Sequence, residues 1–167
     1  MVEIPITERM KKNAQRKARA MGKIRNSITR GRGNIAGFLG EYVANEIIGG
    51  QIENTADYDI VYETPSQRTT YDAKTKRCTS EPLPHYECSV AAYNTKQKCD
   101  KYVFVRIENI KGKWGRAWVL GWLGQEEYFD KARYLKAGLK DPSNGWIVRA
   151  SCYNVPISEL RCFRRKK

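Results

Sequence analysis

The chain has 167 residues, 41% hydrophobic and 29% charged, enough for one sizeable core and too few for two ordinary domains. Its net charge of +13 sits at the ends: residues 1–33 hold ten Lys/Arg against two acids, residues 161–167 hold five against none, and the stretch between is neutral. A neutral body with two basic ends suits a polyanionic partner, and no apolar run approaches the ~18–20 residues of a membrane span, so a membrane-spanning protein is excluded as an expectation.

Residues 1–33 read as a basic N-terminal arm, 34–160 as the folded domain and 161–167 as a basic tail. Within the arm, residues 7–21 have helical spacing, with Thr7 and Glu8 as a start signal. The polar sides of this segment are crowded with Arg9, Lys11, Lys12, Arg16, Lys17 and Arg19, so it reads as a marginal helix ordered on nucleic acid. An anionic membrane surface is the competing polyanion, but the arm lacks the Trp/Phe/Leu face that interfacial helices bury. Arg30-Gly31-Arg32-Gly33 then forms a basic joint.

From Asn34, an N-cap residue type, Ile35, Phe38, Leu39, Tyr42, Val43 and Ile47 recur at helical intervals until Gly49-Gly50 ends the run. Two acids on this helix compete for a functional role. Glu41 falls at the margin of the apolar stripe, where a helix packed on a sheet can offer a carboxylate to the sheet's end, whereas Glu46 falls near its middle.

Residues 58–63 and 69–74 are two short runs rich in Tyr, Ile, Val and Thr, separated by a segment containing Pro65-Ser66, and they read as a β-hairpin. A turn centred between Pro65 and Ser66 sets Asp59 directly opposite Asp72. Side chains alternate faces along a strand, so Asp72 and Lys74 share a side while Ala73 points away. Carboxylates directly opposite each other repel, and a divalent cation relieves that conflict. The plainer reading is the solvated face of an exposed hairpin.

Beyond a loop with Pro82 and Pro84, residues 86–90 have no pattern that fixes their structure. Asn94 is placed to cap a short helix carrying Lys96, Gln97 and Lys98, residues 102–107 form a strand, and residues 114–122 form another that extends the sheet. Residues 124–137 read as a C-terminal helix and residues 141–145 as a turn. The five cysteines form an odd set without a CxxC pair and read as reduced thiols; Cys78, His85, Cys88 and Cys99 are the one set that could cluster around zinc.

Asp59, then Asp72-Ala73-Lys74 followed by Thr75-Lys76-Arg77, resembles the signature of the PD-(D/E)XK nuclease superfamily, with Tyr58 standing where the motif's name has Pro. Upstream, Gly37-Phe38-Leu39-Gly40-Glu41-Tyr42 resembles the helix that supplies that family's additional acid. The resemblance covers roughly residues 35–107. It implies a mixed α/β sheet with a restriction-endonuclease-like αβββαβ core, in which residues 51–54 would be the first strand. It also implies catalytic Glu41, Asp59, Asp72 and Lys74, and a Mg²⁺ ion, replaceable by Mn²⁺, held by Asp59, Asp72, the Ala73 carbonyl and Glu41.

The expected partner is DNA, touched by Arg25, Arg30, Arg32, Lys76, Arg77, Gln97, Lys98, Arg164 and Arg165. The expected setting is intracellular, in a bacterial or phage-infected cytoplasm, as a homodimer of the homing-endonuclease kind. A Holliday-junction resolvase is the alternative within the family. A non-catalytic nucleic-acid-binding protein is the alternative outside it, served equally by the basic ends and 18 aromatic residues.

Overall fold

The computed structural model describes residues 1–21 and 34–163. Arg25, Arg30, Arg32, Arg164 and Arg165, together with the Arg-Gly joint, lie outside the described residues. A mixed sheet of six strands separates two layers. Its strands, from edge to edge, are β1 (Val2–Ile4), β7 (Lys113–Gly124), β6 (Lys101–Ile110), β4 (Gln67–Cys78), β3 (Ile60–Thr64) and β2 (Gln51–Ile52). All neighbours are antiparallel except β4 and β6, which run parallel. On one face lie helices α1 (Glu8–Met21) and α2 (Asn34–Ile48). On the other lie α3 (Gln125–Lys131) and a three-stranded antiparallel sheet of β5 (Glu87–Ala91), β9 (Cys152–Pro156) and β8 (Arg133–Leu135).

The central strands carry near-continuous apolar runs because both of their faces are covered. In β6, Val103, Val105 and Ile107 pack with Leu39 and Val43 of α2, while Tyr102 and Phe104 pack with Trp118 of β7 and Tyr128 of α3. Phe104 and Tyr128 stack at 5.4 Å, and the single Tyr128 hydroxyl proton is shared between the carbonyl oxygens of Cys88 and Tyr153, at 3.0 and 2.7 Å, so that α3 ties the second sheet to the first. The β3–β4 hairpin has the register its sequence dictates, from Thr64 opposite Gln67 at the Pro65-Ser66 turn to Ile60 opposite Tyr71. Gly49, at φ +70°, ends α2 where that backbone conformation suits glycine.

Several elements differ from the sequence-based expectation. The helix expected over 7–21 forms, but it is not a free arm. Met10 and Ala14 are buried in the same core as Leu39 and Val43, and β1 ahead of it pairs with β7. At the other end, Arg161 pairs with Trp122 through backbone hydrogen bonds of 2.9 and 3.0 Å, and Phe163 packs on the core, so residues 161–163 belong to the body. The short helix expected after Asn94 is absent. A 3₁₀ turn, Ala92–Asn94, stands there instead, and the following residues are drawn away by hydrogen bonds from Gln97 to Ala56 and from Lys98 to Asp57. The helix expected over 124–137 stops at Lys131, because Leu135 is buried and its strand pairs with β9. Residues 51–54 contribute only the two-residue β2, and residues 86–90 fall in β5. No described helix is long and apolar enough to cross a membrane.

Docking of α1 has a measurable consequence. Met10→Ala should lower the unfolding free energy by about 2–3 kcal/mol in denaturant titration, by loss of buried contacts and the cavity left behind. A helix that orders only on nucleic acid would leave that value unchanged.

Candidate active site

Strand β4 carries two different faces through the centre of the molecule. Tyr71 and Ala73 turn toward the helices, so Asp72, Lys74 and Lys76 turn toward the second sheet. Asp72 is 4% exposed, and the Lys74 ammonium lies 2.5 Å from its Oδ2. That oxygen nevertheless has no hydrogen bond of acceptable geometry.

Asp59 sits just ahead of β3, and its backbone is fixed from both sides. Its N–H donates to the Tyr71 carbonyl at 2.9 Å, and its own carbonyl accepts from the N–H groups of Glu53 and Asn54. The side chain reaches across to β4, where Oδ2 accepts the Ala73 N–H at 2.8 Å. Two carboxylates are thereby brought to one short stretch of β4 by a local hairpin. Because the Ala73 N–H is committed to Asp59, the β4 backbone from Asp72 to Lys74 is held as well.

The Lys74 ammonium is held from a second direction by Gln97, whose Oε1 accepts from it at 2.9 Å. Gln97 is itself anchored: its Nε2 donates to the Ala56 carbonyl at 3.2 Å, and its backbone carbonyl accepts from Gln125 Nε2. The Tyr102 ring lies 5.6 Å from the ammonium, completing a site in which the cation has fixed partners on three sides. Residues 95–98 therefore act as a strap that sets the direction of Lys74.

Glu41 enters from α2. Gly40 lies so close to β4 that a Cβ built on it would overlap the Thr75 side chain, so only glycine permits this approach. Glu41 is 6% exposed, and Lys17 of α1 lies 3.7 Å from its Oε2 while also facing the Phe38 and Tyr42 rings. Glu46 is exposed, so of the two helical acids Glu41 alone is enclosed. The expectation that put Glu46 in the middle of the stripe assumed one buried side; α2 has two, one against the sheet and one against α1.

Electrostatics follow from this crowding. Desolvation pushes Asp59 up to about 8, with the charges of Asp72 and Glu41 adding to the shift. Desolvation likewise pushes Glu41 up to about 7, against the opposing pull of Lys17. The site thus holds three carboxyl groups against the two ammonium groups of Lys74 and Lys17. Glu41 Oε2 and Asp72 Oδ2 are both buried, each with one ammonium as its ion-pair partner and no further donor.

A buried all-oxygen set in which carboxyl groups outnumber the ammonium groups suits a hard cation such as Mg²⁺. Among the described residues no three His, Cys, Asp or Glu side chains are gathered to enclose an ion. An ion here would rest on Asp59 and Asp72 and fill its remaining positions with water and a backbone carbonyl, in keeping with the habit of Mg²⁺ of using one or two carboxylates. The residues fit the ion on those terms.

The other expected contacts divide. Lys76 follows Lys74 on the same face of β4, whereas Arg77 is exposed on the opposite one. Gln97 serves Lys74 directly, and Lys98 donates its backbone N–H to Asp57 with its side chain exposed. Lys17, Tyr102 and Gln125 were not singled out from the sequence. Each reaches the site from an element distant along the chain, and no local pattern marks them. His85 is exposed, and none of the five cysteines is disulfide-bonded; Cys99, buried beside Asp72, is pushed up to about 12 by desolvation.

Raised carboxyl pKa values in the fold mean that the unfolded chain releases protons which the folded state retains. Without divalent ions, the stability these two groups contribute should therefore be fullest below about pH 4 and fall as pH rises toward about 8. Thermal unfolding in EDTA across that range measures the slope, and Asp59→Asn should flatten it; an unchanged slope would show that the carboxyls are not coupled to folding. The chain matches no protein-family model and no curated protein.

Proposed function

We propose that the protein is a Mg²⁺-dependent endodeoxyribonuclease of the PD-(D/E)XK kind, hydrolysing DNA phosphodiester bonds. The observation that carries this reading is the meeting of Asp59, Asp72 and Lys74 on β4 with Gln97 holding the ammonium in place. The order α2, β2, β3, β4, β6, with β6 parallel to β4, supports it, since it follows the αβββαβ sequence apart from the second helix. A 3₁₀ turn and β5 replace that helix.

Mg²⁺, when bound, would neutralise the carboxylate pair and withdraw charge from a phosphate oxygen. Asp59 and Asp72 would hold it, with the Ala73 carbonyl within the same stretch of strand. Lys74 would donate from its ammonium to the attacking water or to a non-bridging phosphate oxygen as negative charge builds there. Gln97 keeps that ammonium aimed, and Glu41 would accept a hydrogen bond from a water at the margin of the site. Attack by water at phosphorus with departure of the 3′ oxygen leaves a 5′-phosphate and a 3′-hydroxyl.

The basic composition supports DNA as the polyanion. One such site per chain supports a homodimer for cutting two strands. A phage or mobile-element enzyme of the homing type is the setting favoured by size and the single core, with a junction-resolving enzyme next.

Cleavage of supercoiled plasmid, a four-way junction and a random duplex library in Mg²⁺ is the test. Lys74→Ala, checked for folding by circular dichroism, should lose roughly 10²–10⁴-fold in rate. Asp72→Asn should lose Mg²⁺ binding in calorimetry, and unchanged metal affinity would sink the site. If wild type cuts none of these substrates, binding without catalysis becomes the better reading. Gln97→Ala should lower kcat by roughly tenfold with little change in KM, the mark of a positioning residue.

A further inference from the structure

On the same face of β4 as Lys74, one residue pair further along, Lys76 stands beside Arg106 of β6, its register partner. Like charges directly adjacent on a sheet are unfavourable. Arg106 is 7% exposed, and among the described residues neither cation forms an ion pair. Arg106 donates to the Glu87 carbonyl at 3.1 Å and lies over the Tyr86 ring at 5.2 Å. The acids nearby are already engaged: Glu87 with Arg133 and Asn154, and Asp141 with Arg133, Ser143 and Asn144. Glu87 and Asp141 line the same cleft, so with Arg133 the cluster holds three cations against two carboxylates, and Lys76 and Arg106 are the two cations left without an ion pair.

The cleft has a definite size and wall. Lys76 lines three adjoining cavities: one of about 240 Å³ shared with Lys74, one of about 740 Å³ shared with Arg106 and Trp146, and one of about 430 Å³ shared with Trp146 and Arg149. Trp146 is 75% exposed, the most exposed of the large apolar side chains described. Its backbone is nonetheless pinned, with its N–H donating to Asn144 Oδ1 at 2.9 Å and its carbonyl accepting from Asp141 at 2.8 Å. Tyr134, Leu139 and Ile147 of the same region are also exposed. An exposed indole on a pinned backbone, beside two cations without ion pairs, has the chemistry to stack on a base with its phosphate neutralised alongside.

We infer that the cleft from Lys76 and Arg106 to Trp146 binds an unpaired nucleotide of a single-stranded DNA segment continuous with the strand at Lys74. The cavity of about 740 Å³ accommodates a nucleotide, and the Trp146 ring can stack only on a base whose face is not covered by a neighbouring base pair. Lys76 and Arg106 take the phosphate, Trp146 takes the base face, and the exposed Asn144 amide stands at the rim. The inference deepens the nuclease reading by naming the substrate class as DNA with a splayed or single-stranded segment, and its link to Lys74 rests on that reading.

Binding alone tests it, so that failure of catalysis does not enter. Labelled oligothymidylate, the matching duplex and free thymidine monophosphate are titrated in EDTA by fluorescence anisotropy or competition. Trp146→Ala, on an exposed side chain, and Lys76→Met should each weaken oligothymidylate binding by roughly tenfold or more, with duplex binding changed far less. Trp146→Tyr should restore most of the loss, since a flat ring remains. Equal weakening of single strand and duplex, or weakening of neither, would overturn the inference. Free thymidine monophosphate that binds as tightly as the oligomer would also overturn it, in favour of a small-nucleotide pocket. Should Lys74→Ala leave cleavage intact, the nuclease site falls while these binding results still decide the cleft.

Discussion

Strand β4 is the element on which the rest of the structure depends, because it must satisfy two environments at once. One of its faces packs Tyr71 and Ala73 into the helical core, and the other carries Asp72, Lys74 and Lys76 toward the second sheet. Its edges are equally committed, to β3 by antiparallel bonds and to β6 by parallel ones. Charged groups on such a strand cannot retreat into water when the fold closes. They are held close to one another, and desolvation raises the pKa values of Asp59 and Glu41 as a result.

Supports for this arrangement come from every layer. The Ala73 N–H is fixed by Asp59, and the Lys74 ammonium by Gln97 on a strap that replaces a crossover helix. Asp100 accepts from both the backbone and the hydroxyl of Thr70, at 2.7 and 2.8 Å, clamping the start of β4 to the segment entering β6. Glycine at position 40 lets α2 approach Thr75 closely enough to bring Glu41 in. The layers and the 95–98 strap together therefore position these side chains. Such an arrangement favours a site that acts by orientation and fixed charge, as the proposed hydrolysis would require. The second sheet adds a role of its own, since it carries the wall of the cleft that begins at Lys76 and reaches Trp146.

What the sequence by itself determined is local. A two-residue turn at Pro65-Ser66 and the two-residue period of a strand suffice to set the hairpin register, and with it the approach of Asp59 to β4 and the shared face of Asp72 and Lys74. The apolar runs of β6 and β7 and the glycine stop of α2 are legible for the same reason, since each depends on neighbours a few residues away. The tertiary structure decided whatever depends on a second packing surface. It drew α1 onto α2, which made Glu41 enclosed and left Glu46 exposed, and it placed Lys17 beside Glu41. It also shortened the helix after β7 in favour of β8, and it set Lys76, Arg106 and Trp146 around one cleft although they come from three separate segments. Periodicity records which residues share a face of one element, but not how many faces of that element other elements will cover.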